Sequence, residues 1–448
     1  MPIASIYNAK DSMERNCVRD IYRAIFNINH FQGQEHCGIV YFDGRGLSSN
    51  NRITANGLVK ELKIPKDARG YCGIGNVSKF QDHQPLIIYC KRLGNFALTF
   101  DGYIINSDEL RRDLGDAFLS PYHAELAGRL IAQGSDFPDG IKKMAEVIKG
   151  AFSVGILSES GESYAARCPF GTRPLMLGQG KNGYGIISES RAFRKIGMSP
   201  ERDFEPGEIV QMDRFGIRTI GKMEGKYTKI CSFDPGYYFW IDSLFEGIPV
   251  VAIRHRVATK QAEKDRKEGL EIDIVCAVED SGKAYGEGYA FYFGRPYFSI
   301  IIKYPYFGRS YDQPTQEERD DEAEGKCSTV DHLIGGRKIV VYDDSLRRAT
   351  VIKKILKYLK NAGAKEIHLR FGTPKNRAYC RIDTREAPDD ALIANQFETD
   401  EEIAGHLKVD SVRFPEVDEY VDAITQGSKL KKDDLCLGCY TGDFDFWK

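Results

Sequence analysis

The sequence predicts a two-part protein: a layered α+β unit in the first half and an α/β unit with a parallel sheet in the second. Three observations carry this. The chain has 448 residues, too many for one core at about 150 residues per domain. Its first half is a series of short apolar and β-branched runs bounded by Gly, Asp and Asn. From "KICSFDPGYYFW" onward the rhythm becomes strand, helix, strand, which calls for parallel pairing with crossover helices.

In chain order, "HCGIVYFDGRG", "GYCGIGNVSKF", "PLIIYCKRLGNFALTFDGYIIN", "GAFSVGILSESGESYAARC", "GYGIISES" and "GEIVQMDRFGIRTI" read as strands. Helical periodicity appears at "SMERNCVRDIYRAIFNINHF" and "PYHAELAGRLIAQ". This unit ends near Gly221, and the expected division is 1–225 and 226–448. In the second half "IDIVCAVEDSG", "FSIIIKYPYF", "RKIVVYDDS" and "EIHLRFGTP" read as strands, and "ATVIKKILKYLKNAGA" as a helix closed by Gly363. The acidic "YDQPTQEERDDEAEGKCSTVDHL" reads as a mobile loop or lid. The tail "KLKKDDLCLGCYTGDFDFWK" is expected to be ordered, because its aromatics disfavour free solvent.

Sixty-three Lys and Arg face 65 Asp and Glu, a net charge of -2, so no electrostatic case exists for nucleic acid or membrane. The N-terminus lacks a basic region followed by an apolar core, and a cytoplasmic location is expected. Eleven cysteines in such a chain are expected to be buried, reactive or metal-binding rather than disulfide-paired. Cys436 and Cys439, in "CLGC", have ligand spacing.

The densest chemistry lies in "IVVYDDSLRRATVIKK". Ligands of parallel α/β sheets bind beyond the carboxyl ends of strands, where Asp343 and Asp344 stand. Ser345 to Thr350 can present amides and hydroxyls to an anion at a helix start. Vicinal carboxylates suit vicinal sugar hydroxyls or a divalent cation. A second strand-end loop, "CAVEDSGKAYGEG", offers Asp280, Ser281, Gly282 and Lys283 to a pyrophosphate. Two anion loops in one sheet imply one doubly phosphorylated ligand. The bland alternative is an acidic turn capping a helix, which a bare Asp-Asp-Ser represents more often than not.

With these residues in place the chain resembles glutamine phosphoribosylpyrophosphate (PRPP) amidotransferase, the amidophosphoribosyltransferase family of purine biosynthesis. "VVYDDSLRRATV" resembles its PRPP motif, "VEDSG" its pyrophosphate loop and "KYPYFGRSYDQPTQEER" its closing loop. "FQGQEHCGIV", "GIGNVSKF", "FDGYIIN", "RCPFGTRPL" and "ISESRAF" follow the order of its glutaminase domain. The resemblance implies a four-layer N-terminal-nucleophile (Ntn) fold with two stacked sheets, then a type I phosphoribosyltransferase fold. It implies PRPP held by Asp343, Asp344, Ser345, Arg348 and Thr350 and by Asp280, Ser281, Gly282 and Lys283. Magnesium would sit on Asp343 and Asp344, and Tyr306 and Arg309 would act catalytically by covering the site.

The same comparison marks departures. Ala4 stands where the glutaminase nucleophile is a cysteine, Ser78 where an arginine anchors the substrate carboxylate, Asp101 where an asparagine serves the oxyanion hole, and His123 where an acid holds the amine. A first domain without glutaminase activity is therefore expected, with ammonia or another amine, free or from a partner, as nucleophile. Asp101, His123 and Asn76 have an ordinary alternative as satisfied polar groups rather than a repurposed pocket. Unmasking of Cys17 by processing would delete structural chain. In the transferase half, Ala349 replaces a glycine, Val351 a threonine, Glu279 a proline and Pro305 a basic residue, so weaker PRPP binding is expected.

Some members hold a [4Fe-4S] cluster on four cysteines, and Cys231, Cys436 and Cys439 match that pattern. Cys380 lies two residues from the expected place, held by Ala378; along a strand that shift keeps the same face. A zinc site or relic cysteines compete with the cluster. The expected assembly is a homodimer or homotetramer. The leading function is a PRPP-dependent phosphoribosyltransferase; the second is a regulatory paralogue that binds PRPP or nucleotides.

Overall fold

The computed structural model describes residues 3–8, 17–32, 36–53, 62, 70–78, 83–115, 118–181, 183–303, 327–382 and 389–445. Thirteen strands build the first half: β1 (Ile3–Asn8), β2 (His36–Phe42), β3 (Leu47–Ile53), β4 (Cys72–Ser78), β5 (Leu86–Ile88), β6 (Phe96–Ile104), β7 (Gly150–Ser158), β8 (Ser163–Arg167), β9 (Met176–Gly180), β10 (Gly183–Ile187), β11 (Met198–Asp203), β12 (Glu208–Asp213) and β13 (Gly216–Lys222). They form one sheet in the order β11-β9-β10-β1-β4-β2-β3 and another in the order β13-β12-β8-β7-β6-β5. All their pairings are antiparallel.

Strand alternation sorts the side chains into layers. Ile3, Val40 and Ile74 of the first sheet pack with Ala97, Leu157, Ala165 and Val210 of the second, so the sheets stack face to face. Ala4 and Ile6 point the other way, under Val18, Ile21 and Ile25 of the helix Cys17–Gln32. On the far side, Leu126, Ile141 and Met144 of the helices His123–Ile131 and Phe137–Val147 cover Phe96 and Leu98. Helix, sheet, sheet, helix gives four layers. The first helix lies close because β4 is glycine-rich there: a Cβ on Gly75 would meet Ile21 at 2.4 Å.

The second half is organised by four parallel strands, Ile274–Ala277, Lys338–Asp343, Glu366–Phe371 and Ser411–Arg413, in that order. Val275, Ala277, Val340 and Tyr342 face the helices Val250–Lys267 and Lys283–Phe293. Ile274, Cys276, Ile339 and Val341 face the helices Thr350–Asn361 and Asp400–Leu407. Helices cover both faces, as a parallel sheet requires.

The segment "FSIIIKYPYF" departs from its expected place. Ile301–Lys303 pairs antiparallel with Cys327–Thr329, outside the parallel sheet. The cause is at its start: Val275 N donates to Pro296 O and Phe298 N to Val275 O, so the chain bonds the sheet edge only up to the first residue of the run and then leaves it. Most of the acidic lid segment lies outside the described residues. Among the described residues no helix is long and apolar enough to cross a membrane.

Candidate functional site

Asp343 and Asp344 close one parallel strand, and the loop Val278–Gly282 follows its neighbour. The two loops are bonded to each other. Ser281 Oγ donates to Asp344 Oδ2, and Val278 N donates to Tyr342 O at 2.8 Å. A Cβ on Gly282 would meet Tyr342 O and Val278 O at 2.7 Å, so the approach requires glycine. Behind them Thr373 N and Oγ1 donate to Asp344 O at 2.9 and 3.1 Å. Arg254, buried in its helix, donates to Ser281 O, Pro235 O and Phe239 O at 3.2, 3.0 and 2.7 Å. Sequence reasoning missed Arg254, because a lone arginine in a helix reads as surface charge.

The remaining predicted residues sit around this junction. Ser345 Oγ donates to Asp344 Oδ1 at 2.6 Å. Lys283 opens the helix after Gly282, and Asp280 is exposed at the loop tip. Thr350 opens the other helix and is exposed, as is Val351. Arg348 Nε donates to Tyr379 Oη at 2.9 Å. Ala349 has φ +60° and ψ +11°, a left-handed conformation that costs an L-residue about 1–2 kcal/mol. A left-handed turn at a helix start aims successive amides at one point, forming an anion nest. Ala349 is 5% exposed and packs in the core with Leu346 and Ile352. The penalty of alanine here is conformational.

Burial, with the Asp344 charge added, holds the Asp343 carboxyl well above the usual carboxylate range. Burial raises Asp344 too, against donation from Ser281 and Ser345 and the charge of Arg254. A cation or sugar hydroxyls arriving between them would compensate that cost. Among the described residues no three His, Cys or acidic side chains are close enough to hold a single metal ion. Magnesium at Asp343 and Asp344 would need oxygens from the ligand, its usual manner of binding.

The four predicted cysteines converge. Cys231 and Cys436 are register partners in the short parallel pairing of Ile230–Cys231 with Leu435–Cys436. Arg377 N and Ala378 N donate to Cys439 O at 2.9 and 3.2 Å, which brings Cys380 to the same place, its thiol hydrogen-bonded to that of Cys439. Cys231, Cys380 and Cys436 all act electrostatically on the Cys439 thiol, and Cys380 acts on Cys231 and Cys436 as well. Residues 377–382 are irregular chain and not a strand, so the expectation that face alternation would carry Cys380 across is replaced by a loop anchored on Cys439. Ala378 is buried in the core. Burial raises the Cys231 thiol and pushes Cys436 up to about 12; metal ligation is what reverses such a shift.

The glutamine amidotransferase domain family matches residues 74–195. A curated amidophosphoribosyltransferase of Methanocaldococcus jannaschii is 31% identical over 466 aligned residues, covering 97% of this chain and 96% of that one. The chain belongs to the amidophosphoribosyltransferase family. The Bacillus subtilis member is 30% identical over 94% of this chain and 90% of its own. A solved structure, described as glutamine PRPP amidotransferase from B. subtilis complexed with ADP and GMP, superposes with a TM-score of 0.89 at 28% identity, over 99% of this chain and 97% of that one. The fold is thus an Ntn-type glutaminase unit followed by a phosphoribosyltransferase unit with a parallel sheet.

Within this amidophosphoribosyltransferase-type framework the first-half residues have defined surroundings. Ala4 is fully buried, and Ile3 N before it donates to Ser188 Oγ at 2.9 Å. Ser78 is buried at the end of β4. Asp101 is buried with Arg173 Nε at 3.9 Å. His123 Nδ1 accepts from Ile104 N at 3.1 Å, and burial lowers it to about 4, so it is a neutral, satisfied helix-start residue. Cys17 is buried and its thiol raised by desolvation. Tyr306 and Arg309, with Pro305 and Gly308, lie outside the described residues.

Proposed function

We propose that the chain is a PRPP-dependent phosphoribosyltransferase without glutaminase activity, in which residues 1–225 act as a scaffold and 226–448 carry the chemistry. The observation that carries this is the bonded pair of loops at the ends of two adjacent parallel strands, one rich in amides and hydroxyls and one with a glycine at its closest approach. The amides of Ser345 to Thr350, with Arg348, hold the 5-phosphate. Asp343 and Asp344 accept hydrogen bonds from the ribose hydroxyls, while Asp280, Ser281, Gly282 and Lys283 hold the pyrophosphate. Magnesium, when bound, neutralises charge on the departing pyrophosphate. Ammonia or another amine forms the new C–N bond at the anomeric carbon as the C–O bond to the pyrophosphate breaks, the electron pair leaving on the pyrophosphate and the nucleophile's proton going to solvent. Tyr306 and Arg309 complete the set by resemblance alone.

Ala4, Ser78 and Asp101 support the loss of glutamine hydrolysis: an alanine supplies no nucleophile, and a carboxylate repels an oxyanion. The ammonia then comes from solution or from a partner. For the cysteines we propose a [4Fe-4S] cluster on Cys231, Cys380, Cys436 and Cys439, supported by four thiols from distant positions meeting in one place. A homodimer or homotetramer completes the proposal.

Calorimetry with PRPP and magnesium, followed by a pyrophosphate-release assay over ammonia, amines and nucleobases, tests the reading. Binding with pyrophosphate release establishes the transferase. Binding without release supports the second reading, a regulatory paralogue, which the left-handed Ala349 favours; no PRPP binding removes the transferase and leaves the second reading only as a nucleotide-binding paralogue.

A further inference from the structure

We infer that Tyr379 is a positioning residue for the phosphate loop, bracing the left-handed turn that Ala349 must hold; the inference rests on PRPP binding at this loop. Both residues before Ala349 are tied to this one ring. Arg348 Nε donates to Tyr379 Oη at 2.9 Å, and the Arg347 guanidinium lies 4.5 Å from the ring centroid. Arg347 is fixed on its other side, where its carbonyl accepts from Ile393 N at 2.8 Å. The ring is anchored as well: Tyr379 is 8% exposed, and its N donates to Asp389 Oδ1 at 2.8 Å. Downstream, Lys353 N donates to Ala349 O at 3.0 Å and starts the helix. A non-glycine residue in a left-handed well persists only where its surroundings over-determine it, and Tyr379 is the side chain that fixes two of the neighbours.

The inference has a numerical signature. Alanine disfavours the left-handed well about fivefold to thirtyfold, whereas glycine enters it freely. Without its brace the Ala349 loop would therefore spend most of its time outside the nest geometry, and apparent affinity falls with the competent fraction. A glycine loop would keep roughly half its population in place.

The test is a double-mutant cycle on the full chain, with Tyr379→Leu, Ala349→Gly and the double variant, read by calorimetry with PRPP and magnesium. Tyr379→Leu is expected to weaken binding about fivefold to twentyfold in the Ala349 chain and only about twofold beside Ala349→Gly. Equal losses in the two backgrounds, or none in either, overturn the brace. If Tyr379→Leu does not fold, Tyr379→Phe, which keeps the ring and removes the Arg348 bond, must show the same background dependence on a smaller scale. Absence of PRPP binding in every chain defeats the functional proposal and not this one. The brace is then read from hydrogen exchange over residues 345–353, which Tyr379→Leu must accelerate more with alanine at 349 than with glycine; equal acceleration overturns it.

Discussion

At Asp344 one buried carboxylate accepts from Ser281 on one loop and Ser345 on its own. An amide in its place keeps one acceptor and turns the other into a donor facing a hydroxyl. Hydrogen bonds to charged groups contribute about 1.5–3 kcal/mol, so Asp344→Asn should weaken PRPP binding about tenfold or more in titration calorimetry. Ala349 presents a balance instead. Replacing it with glycine removes about 1–2 kcal/mol of left-handed strain, loses about 0.8 kcal/mol of methyl burial and gives the unfolded chain about 0.4–1 kcal/mol of entropy. These terms nearly cancel, so Ala349→Gly should leave the urea midpoint almost unchanged, and with Tyr379 holding the turn in both chains it should change PRPP affinity by no more than about twofold. A large change in stability would show that the methyl or the strain dominates.

Among elements, the helix Val250–Lys267 explains what sequence reading could and could not see. Its buried face carries Arg254, Gln261 and Asp265, and Asp265 binds Arg370 and Arg413, each at 2.6 Å, and Tyr289 Oη at 2.5 Å. Polar groups satisfied inside the fold erase the apolar stripe on which periodicity depends. The strands were legible because alternation survives within a few residues, and Asp343 and Asp344 because the whole loop is contiguous. Tyr379 was not legible, since its role exists only where two distant segments meet. Glu189 belongs to the same hidden class: its Oε1 accepts from Trp240 N and Ser243 Oγ, both at 2.7 Å, joining the chain after β10 to the second half. Burial pushes it up to about 7 from an ordinary 4.5. A raised carboxyl is protonated in the folded chain while the unfolded chain has already ionised, so its contribution is full below about pH 4.5 and is lost as pH rises to about 7, by about 3 kcal/mol. Glu189→Gln should flatten the decline in the urea midpoint between pH 5 and 8; an unchanged slope would assign that decline to other groups, such as Asp203, also raised to about 7 by burial.

Across the whole molecule, the two halves are joined by side-chain contacts. Arg173 of the first half donates to Ile382 O at 3.0 Å, beside the Cys380 loop, and stands near Asp101. Such contacts would let the first half act as the scaffold proposed above. The cysteine site has a direct test: anaerobically purified protein should contain iron and sulfide, and Cys436→Ser should lower both; zinc without iron would replace the cluster. Glutamine use is the final discriminant. An Ntn glutaminase needs a cysteine whose own free α-amine serves as base. Here Ala4 is inside a strand, with Ile3 before it bonded in both directions to Ser188, so installing a thiol would supply no amine. In the proposed reading the Asp101 carboxylate also stands where the family's oxyanion would form. Pyrophosphate release should therefore proceed with ammonium and not with glutamine, and Ala4→Cys should not restore glutamine use. Glutamate release from the natural chain, abolished by a cysteine-directed inhibitor, would locate a nucleophile elsewhere and return the first half to catalysis.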